Sequence, residues 1–155
     1  MRSVRLVAIG ALVTVIACSG DQVPDPAAVA GTWSFTYANV TGSGVTCNGT
    51  LTFTITQSGD TFAGQQVGAG TVSCTGAVPT FIVAGATDSS TFGGETMYAG
   101  IASSNQVAFA LGLLQTRDAG TVTSATVMSG TTTWELPVKP RGTVTLNGTW
   151  SAVKE

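Results

Sequence analysis

Residues 31–37 have the sequence GTWSFTY, in which large apolar side chains alternate with small ones. A period of two places alternate side chains on opposite faces of a β-strand, so this stretch predicts a half-buried strand. The same alternation returns at residues 50–56, where threonines separate Leu51, Phe53 and Ile55. These two stretches indicate an all-β fold.

Alternation of this kind continues toward the C-terminus, at residues 107–113, 134–138 and 144–152. Clusters of Gly, Ser, Asn and Asp between the runs predict turns, because these residues suit the backbone of tight hairpins. The turn clusters lie at residues 42–44, 58–60, 88–90, 103–105 and 118–120. Short connections predict an antiparallel up-and-down meander of about eight to ten strands that closes into a barrel. A β-sandwich is the alternative.

The chain carries few charges. Its 155 residues include 6 Lys plus Arg, 8 Asp plus Glu, 26 Thr and no His. The lack of histidine excludes His-ligated metal sites and nucleophiles activated by histidine. The charge balance gives no basic surface for nucleic acid. We therefore expect no enzyme activity, no catalytic residue, no metal, no cofactor and no nucleic-acid partner.

The N-terminus has the pattern of an export signal. Arg2 and Arg5 precede twelve uncharged residues, 6–17. A helix of twelve residues is about 18 Å long, too short for a hydrocarbon core of about 30 Å. Residues 1–17 are therefore predicted to be a signal peptide, residues 18–28 a small, polar tether, and residues 29–155 the β-domain.

Residues 15–18, Val-Ile-Ala-Cys, resemble the lipobox of bacterial lipoproteins. The resemblance implies cleavage before Cys18, two acyl chains such as palmitate attached through its sulfur, and acylation of its new amino group. Such lipid chains anchor a protein stably to a membrane. Ser19 after the cysteine resembles outer-membrane lipoproteins of Gram-negative cells. The expected location is the bacterial envelope, with the exported domain in the periplasm or at the cell surface. An ordinary cleavable signal and an uncleaved anchor are the alternatives.

If Cys18 carries the lipid, Cys47 and Cys74 remain as a pair. Export to an oxidising compartment favours a disulfide between them. A redox-active pair is the alternative, but the chain has no Cys-x-x-Cys spacing and no basic neighbour that would lower a thiol pKa. We therefore predict a structural disulfide.

Gly31 and Trp33 form a Gly-x-Trp motif after residues 25–29, whose Asp-Pro start predicts a short helical turn. This combination resembles the calycins, which include lipocalins, fatty-acid-binding proteins and avidins. The resemblance implies a small barrel whose first strand pairs with the last and whose end is plugged by the Trp. Lipocalins and fatty-acid-binding proteins also place an Arg on that Trp, whereas the last predicted strand here offers only Lys154.

The order of Gly31, Trp33, Cys47 and Cys74 is also similar to that of small periplasmic inhibitors of metalloproteases. Those inhibitors insert a free N-terminal trunk into the protease. A lipid on Cys18 would block such a trunk, so this reading is the weaker one.

Glu95, Trp134 and Trp150 are the candidate ligand contacts. Glu95 shares its parity with Met97 and Ile101, and an inward carboxylate would hold the polar end of a ligand. The glycines at 93 and 94 could instead break the register and turn Glu95 outward. The aromatic side chains are most simply core, and a stacking site built from some of them is the alternative.

These features predict an envelope lipoprotein with a non-catalytic barrel module that binds a small apolar ligand. The alternative is a structural or interaction protein of the envelope with a solid core and no ligand. The membrane, reached through the lipid anchor, is the expected partner. The sequence names no protein partner.

Overall fold

The computed structural model describes residues 25–76, 89–137 and 142–155. The predicted signal peptide and Cys18 lie outside these residues. The strands are β1 (Gly31–Gly42), β2 (Val45–Ser58), β3 (Thr61–Gln66), β4 (Gly70–Gly76), β5 (Ser89–Phe92), β6 (Thr96–Ser103), β7 (Gln106–Leu111), β8 (Thr116–Ser124), β9 (Val127–Pro137) and β10 (Thr143–Lys154).

The sheet closes on itself, because β1 pairs antiparallel with β2 on one edge and with β10 on the other. The remaining pairs run in the order β2, β3, β6, β7, β8, β9 and β10, which makes a closed barrel of eight strands. Near one end, β4 pairs with residues 45–50 of β2, just beyond residues 53–58, which pair with β3. β5 pairs with β4. The predicted antiparallel meander and its closure into a barrel are confirmed.

Aromatic side chains fill the half of the interior nearest the start of β1. Phe35 contacts Phe53, Phe109 and Trp150 with ring centroids 5.6, 5.7 and 5.6 Å apart. Phe109 also contacts Phe62 at 6.1 Å and Trp150 at 5.3 Å. Aromatic pairs of this kind add about 0.5–1.5 kcal/mol each beyond the burial of their area. This half of the barrel is a packed core.

Trp33 lies near the start of β1, and the calycin-like role of plugging this end of the barrel stays a prediction. It is fully buried, and its indole Nε1 donates a hydrogen bond of 2.8 Å to the carbonyl of Val29. The Nζ of Lys154 lies 5.5 Å from the ring centroid, within the range of a cation–π contact. Lys154 thus occupies the place that the resemblance assigned to an Arg.

Gly31 is required where the last strand crosses the first. Its φ is +126°, and a Cβ built there would lie 2.6 Å from Cε of Lys154. L side chains rarely adopt this backbone conformation, so the φ requires glycine, whereas the flexible end of Lys154 could move aside. The Gly-x-Trp motif therefore makes room for the cation that covers its Trp.

Residues 25–30 form no helix or turn, so the predicted helical turn is wrong. Gln57 gives the physical reason. Its Oε1 accepts a 2.7 Å hydrogen bond from the N–H of Val29, and its Nε2 donates one of 3.0 Å to the carbonyl of Ala27. The N–H of Ala27 also donates to the carbonyl of Ser104 at 2.7 Å. Bonds to distant strands outcompete the local capping signal.

Cys47 and Cys74 form the predicted disulfide. They face each other directly in the pairing of β2 and β4, with Cα atoms 4.0 Å apart. The bond ties β4 to the barrel at the end opposite Trp33. The end of the tether at residue 28 stays a prediction.

Candidate functional site

A group of buried polar side chains lies in the second half of the interior. We call it the interior polar cluster, and it consists of Tyr37, Thr116, Asp118, Thr132 and Trp134. None of them is more than 3% exposed. Polar groups are rarely buried this deeply without partners, so the contacts of the cluster decide what it does.

The strand register brings the cluster together. Asp118 of β8 lies opposite Thr132 of β9, and Thr116 lies opposite Trp134. All four side chains point inward because residues two apart in a strand share a face. Tyr37 reaches them from β1, and its ring lies 5.7 Å from that of Trp134.

Only part of the cluster is hydrogen bonded within the protein. Thr116 Oγ1 donates to Oδ2 of Asp118 and accepts a 3.3 Å bond from the N–H of Leu111. Four buried atoms have no hydrogen-bond partner among the described residues, and they are Tyr37 Oη, Asp118 Oδ1, Thr132 Oγ1 and Trp134 Nε1. A buried polar atom left unpaired costs about 1–3 kcal/mol, so four in one place set this half of the interior apart from the aromatic half.

Burial raises the pKa of Asp118 to about 7. Hydrogen bonding with Thr116, Thr132 and Tyr37 opposes that rise. The hydroxyls of Thr132 and Tyr37 thus lie near the carboxyl, although neither makes a hydrogen bond of normal geometry with it. Burial, and then the charges of Asp118 and Glu95, raise the pKa of Tyr37 well above its ordinary value, so its hydroxyl keeps its proton.

Glu95 is fully buried, so the alternative that the glycines turn it outward is wrong. Its Oε1 accepts hydrogen bonds from the N–H groups of Thr96 at 2.9 Å and Leu113 at 2.8 Å. Its Oε2 accepts one of 2.9 Å from the N–H of Leu114. The carboxylate therefore holds the turn between β7 and β8 to the start of β6. A ligand contact by Glu95 stays a prediction, but three backbone amides already occupy it.

The parity predicted beyond Glu95 is wrong after Met97. Ala99 has a φ of +51°, and the pairing register shifts between Tyr98 and Ile101. This bulge moves Ile101 to the outer face, where it is 52% exposed. A bulge inserts one extra residue and exchanges the two faces of the strand beyond it.

Trp134 and Trp150 differ in what their indole groups contact. Trp150 packs in the aromatic half, and its Nε1 donates a 3.0 Å hydrogen bond to the carbonyl of Thr131. Trp134 belongs to the interior polar cluster, and its Nε1 has no partner there. The structure thus brings one of the three predicted contacts into the cluster, and the ligand contacts themselves stay predictions.

The other members of the cluster were not predicted. The sequence pattern predicts a turn at residues 118–120, whereas Asp118 lies inside β8 and faces the interior. The turn was predicted because Asp next to Ala-Gly is typical of turns, and the structure shows that this prediction is wrong. The parity that Thr132 shares with Trp134 and Leu136 was the available signal for an inward polar face.

Within the described part of the chain, no group of three or more His, Cys, Asp or Glu side chains is arranged to hold a metal ion. No helix in that part is long and apolar enough to cross a membrane. No protein-family model, no curated protein and no solved structure matches the chain.

Proposed function

We propose that this chain is a bacterial envelope lipoprotein whose barrel is a non-catalytic binding module for a small ligand. The observation that carries the proposal is the interior polar cluster, with four buried polar atoms that make no hydrogen bond of normal geometry with any described residue. A ligand with a polar end would supply the missing partners. Its apolar body would lie among the apolar side chains of the same end, which include Leu111, Leu136 and Leu146.

The packed half of the barrel limits the size of the ligand. Phe35, Phe53, Phe109 and Trp150 are in mutual ring contact there, so a long chain cannot extend through the interior. The ligand is therefore small.

Native mass spectrometry tests the proposal. Every described strand lies between Gly31 and Lys154, and the first and last strands pair. A secreted form that begins at Asp21 therefore keeps the closed barrel. Extra mass that is lost on denaturation supports a ligand. A bare polypeptide mass that does not change on adding short-chain aliphatic alcohols would contradict the binding function.

A matched pair of variants locates that ligand. Tyr37→Phe removes a buried hydroxyl from the interior polar cluster, whereas Tyr98→Phe removes one from a side chain that is 51% exposed. We expect the first variant to lose bound mass and the second to keep it. Equal retention by both would place the ligand elsewhere.

The lipid anchor is tested separately, because it rests on the lipobox resemblance alone. Cys18→Ser should abolish both membrane fractionation and incorporation of labelled palmitate. The double variant Cys47→Ser with Cys74→Ser is the control and should still be labelled. Unchanged labelling of Cys18→Ser would refute the assignment.

A structural or interaction protein of the envelope is the second candidate. The packed aromatic rings favour it, because they show that much of the interior is solid. If the protein binds no ligand, Tyr37→Phe changes stability, and neither the natural chain nor the variant carries bound mass.

A further inference from the structure

We propose that the interior polar cluster binds one hydroxyl group within hydrogen-bond reach of Trp134 Nε1 and Asp118 Oδ1. The alcohol end of the ligand supplies this hydroxyl, and a water molecule takes its place when the ligand is absent. The inference rests on the proposed function and names the chemistry of the ligand's polar end.

A count of donors and acceptors carries the inference. The indole N–H of Trp134 can only donate, so it requires an acceptor. The unpaired oxygen of the Asp118 carboxyl accepts when the carboxyl is ionised and can donate when it is protonated, and both states are populated near pH 7. A hydroxyl offers both on one atom. The hydroxyls of Tyr37 and Thr132 rotate to either role and add two further contacts.

Other polar groups fit the cluster less well. A carboxylate or phosphate would only accept, and it would lie beside Asp118 and near Glu95. An ammonium group would only donate, which leaves the N–H of Trp134 unpaired. No Lys or Arg side chain of the described residues is buried there, since Arg117 is exposed and Lys154 lies over Trp33 at the other end. An uncharged hydroxyl is the group that pairs both atoms.

The three tryptophans supply an internal control. The indole N–H of Trp33 donates to the carbonyl of Val29, and that of Trp150 donates to the carbonyl of Thr131. Only the indole N–H of Trp134 lacks a protein acceptor among the described residues. A bound hydroxyl therefore contacts one indole proton of the three.

Proton NMR on the secreted ¹⁵N-labelled form from Asp21 tests the proposal. Through-bond NMR experiments assign each of the three indole N–H signals to its tryptophan, so no tryptophan has to be replaced. We expect a rotating-frame cross-peak to water or to ligand protons from Trp134, and none from Trp33 or Trp150. No cross-peak from Trp134, or equal cross-peaks from all three, would overturn the proposal.

Exchange through the protein's own hydroxyls is controlled with variants. The experiment is repeated in Tyr37→Phe and Thr132→Val, with Tyr98→Phe as the exposed control. A Trp134 cross-peak that persists in both buried variants arises from a bound hydroxyl. A cross-peak lost from a variant whose native mass still includes the ligand arises from the replaced side chain and overturns the proposal, whereas a cross-peak lost together with the bound mass belongs to the ligand and supports it.

Native mass spectra of the same sample separate the two sources of the hydroxyl. Additional organic mass together with the Trp134 cross-peak identifies a ligand alcohol. A bare polypeptide mass with the cross-peak identifies water, so the hydroxyl site stands while the binding function fails. Additional mass without the cross-peak keeps the binding function and overturns the hydroxyl site.

Discussion

Asp118→Asn should remove a pH dependence of stability that the interior polar cluster imposes on the barrel. The carboxyl has a pKa of about 7 in the folded chain against 3.8 as its ordinary value, because burial disfavours its charge. The folded state therefore binds more protons than the unfolded state between these values. The contribution of the neutral form is fully present below about pH 4 and is lost as the pH rises through 7.

The size of the effect follows from the two pKa values. At about 1.36 kcal/mol per unit, the full loss is about 4 kcal/mol, and about 2.5 kcal/mol of it falls between pH 5 and pH 8. Asparagine has nearly the same shape, retains an acceptor for Thr116 and carries no titrating proton. We expect Asp118→Asn to be more stable than the natural chain at pH 8 and much closer to it at pH 5.

Urea unfolding followed by tryptophan fluorescence at both pH values measures this difference. Asp60→Asn, in the exposed turn between β2 and β3, is the matched control and should follow the natural chain at both values. If Asp118→Asn loses as much stability between pH 5 and pH 8 as the natural chain does, Asp118 is not the buried group that titrates.

Three further predictions concern the framework of the barrel. Gly31→Ala should lower the free energy of unfolding by about 1–3 kcal/mol, because its Cβ meets Lys154 at a positive φ; an unchanged melting temperature would contradict this. Glu95→Gln should cost about 1–3 kcal/mol and speed amide exchange in the turn between β7 and β8, since an NH₂ group replaces one acceptor oxygen; unchanged exchange would refute its structural role. Replacing both Cys47 and Cys74 by Ser should cost about 3.5 kcal/mol in urea unfolding for a loop of 27 residues, and an equal midpoint would show that the disulfide adds no stability.

Strand content and closure were predictable because they depend on patterns that the chain repeats. The alternation in residues 31–37 and 50–56 places Phe35 and Phe53 inside, as the structure confirms. The turn clusters at residues 42–44 and 103–105 lie at hairpin turns. Short connections then leave each strand beside its neighbours in the chain, which fixes the meander.

The interior polar cluster was not predictable, because long-range contacts override local preference there. Asp118 stands in a sequence typical of a turn, yet the actual turn begins after Leu111 and is held by the carboxylate of Glu95. A single bulge at Ala99 then reverses which face Ile101 occupies. Both effects depend on residues that are distant in sequence or on one backbone angle, and alternation of apolar residues reports neither.

A high-resolution crystal structure of the secreted form tests most directly the claim that the interior polar cluster is a binding site. We expect electron density within about 3 Å of both Trp134 Nε1 and Asp118 Oδ1, which belongs to a ligand hydroxyl or to an ordered water. Density of organic size would support the binding module, and a single water would support the site alone. The absence of any density within that distance of Trp134 Nε1 and Asp118 Oδ1 would contradict the claim.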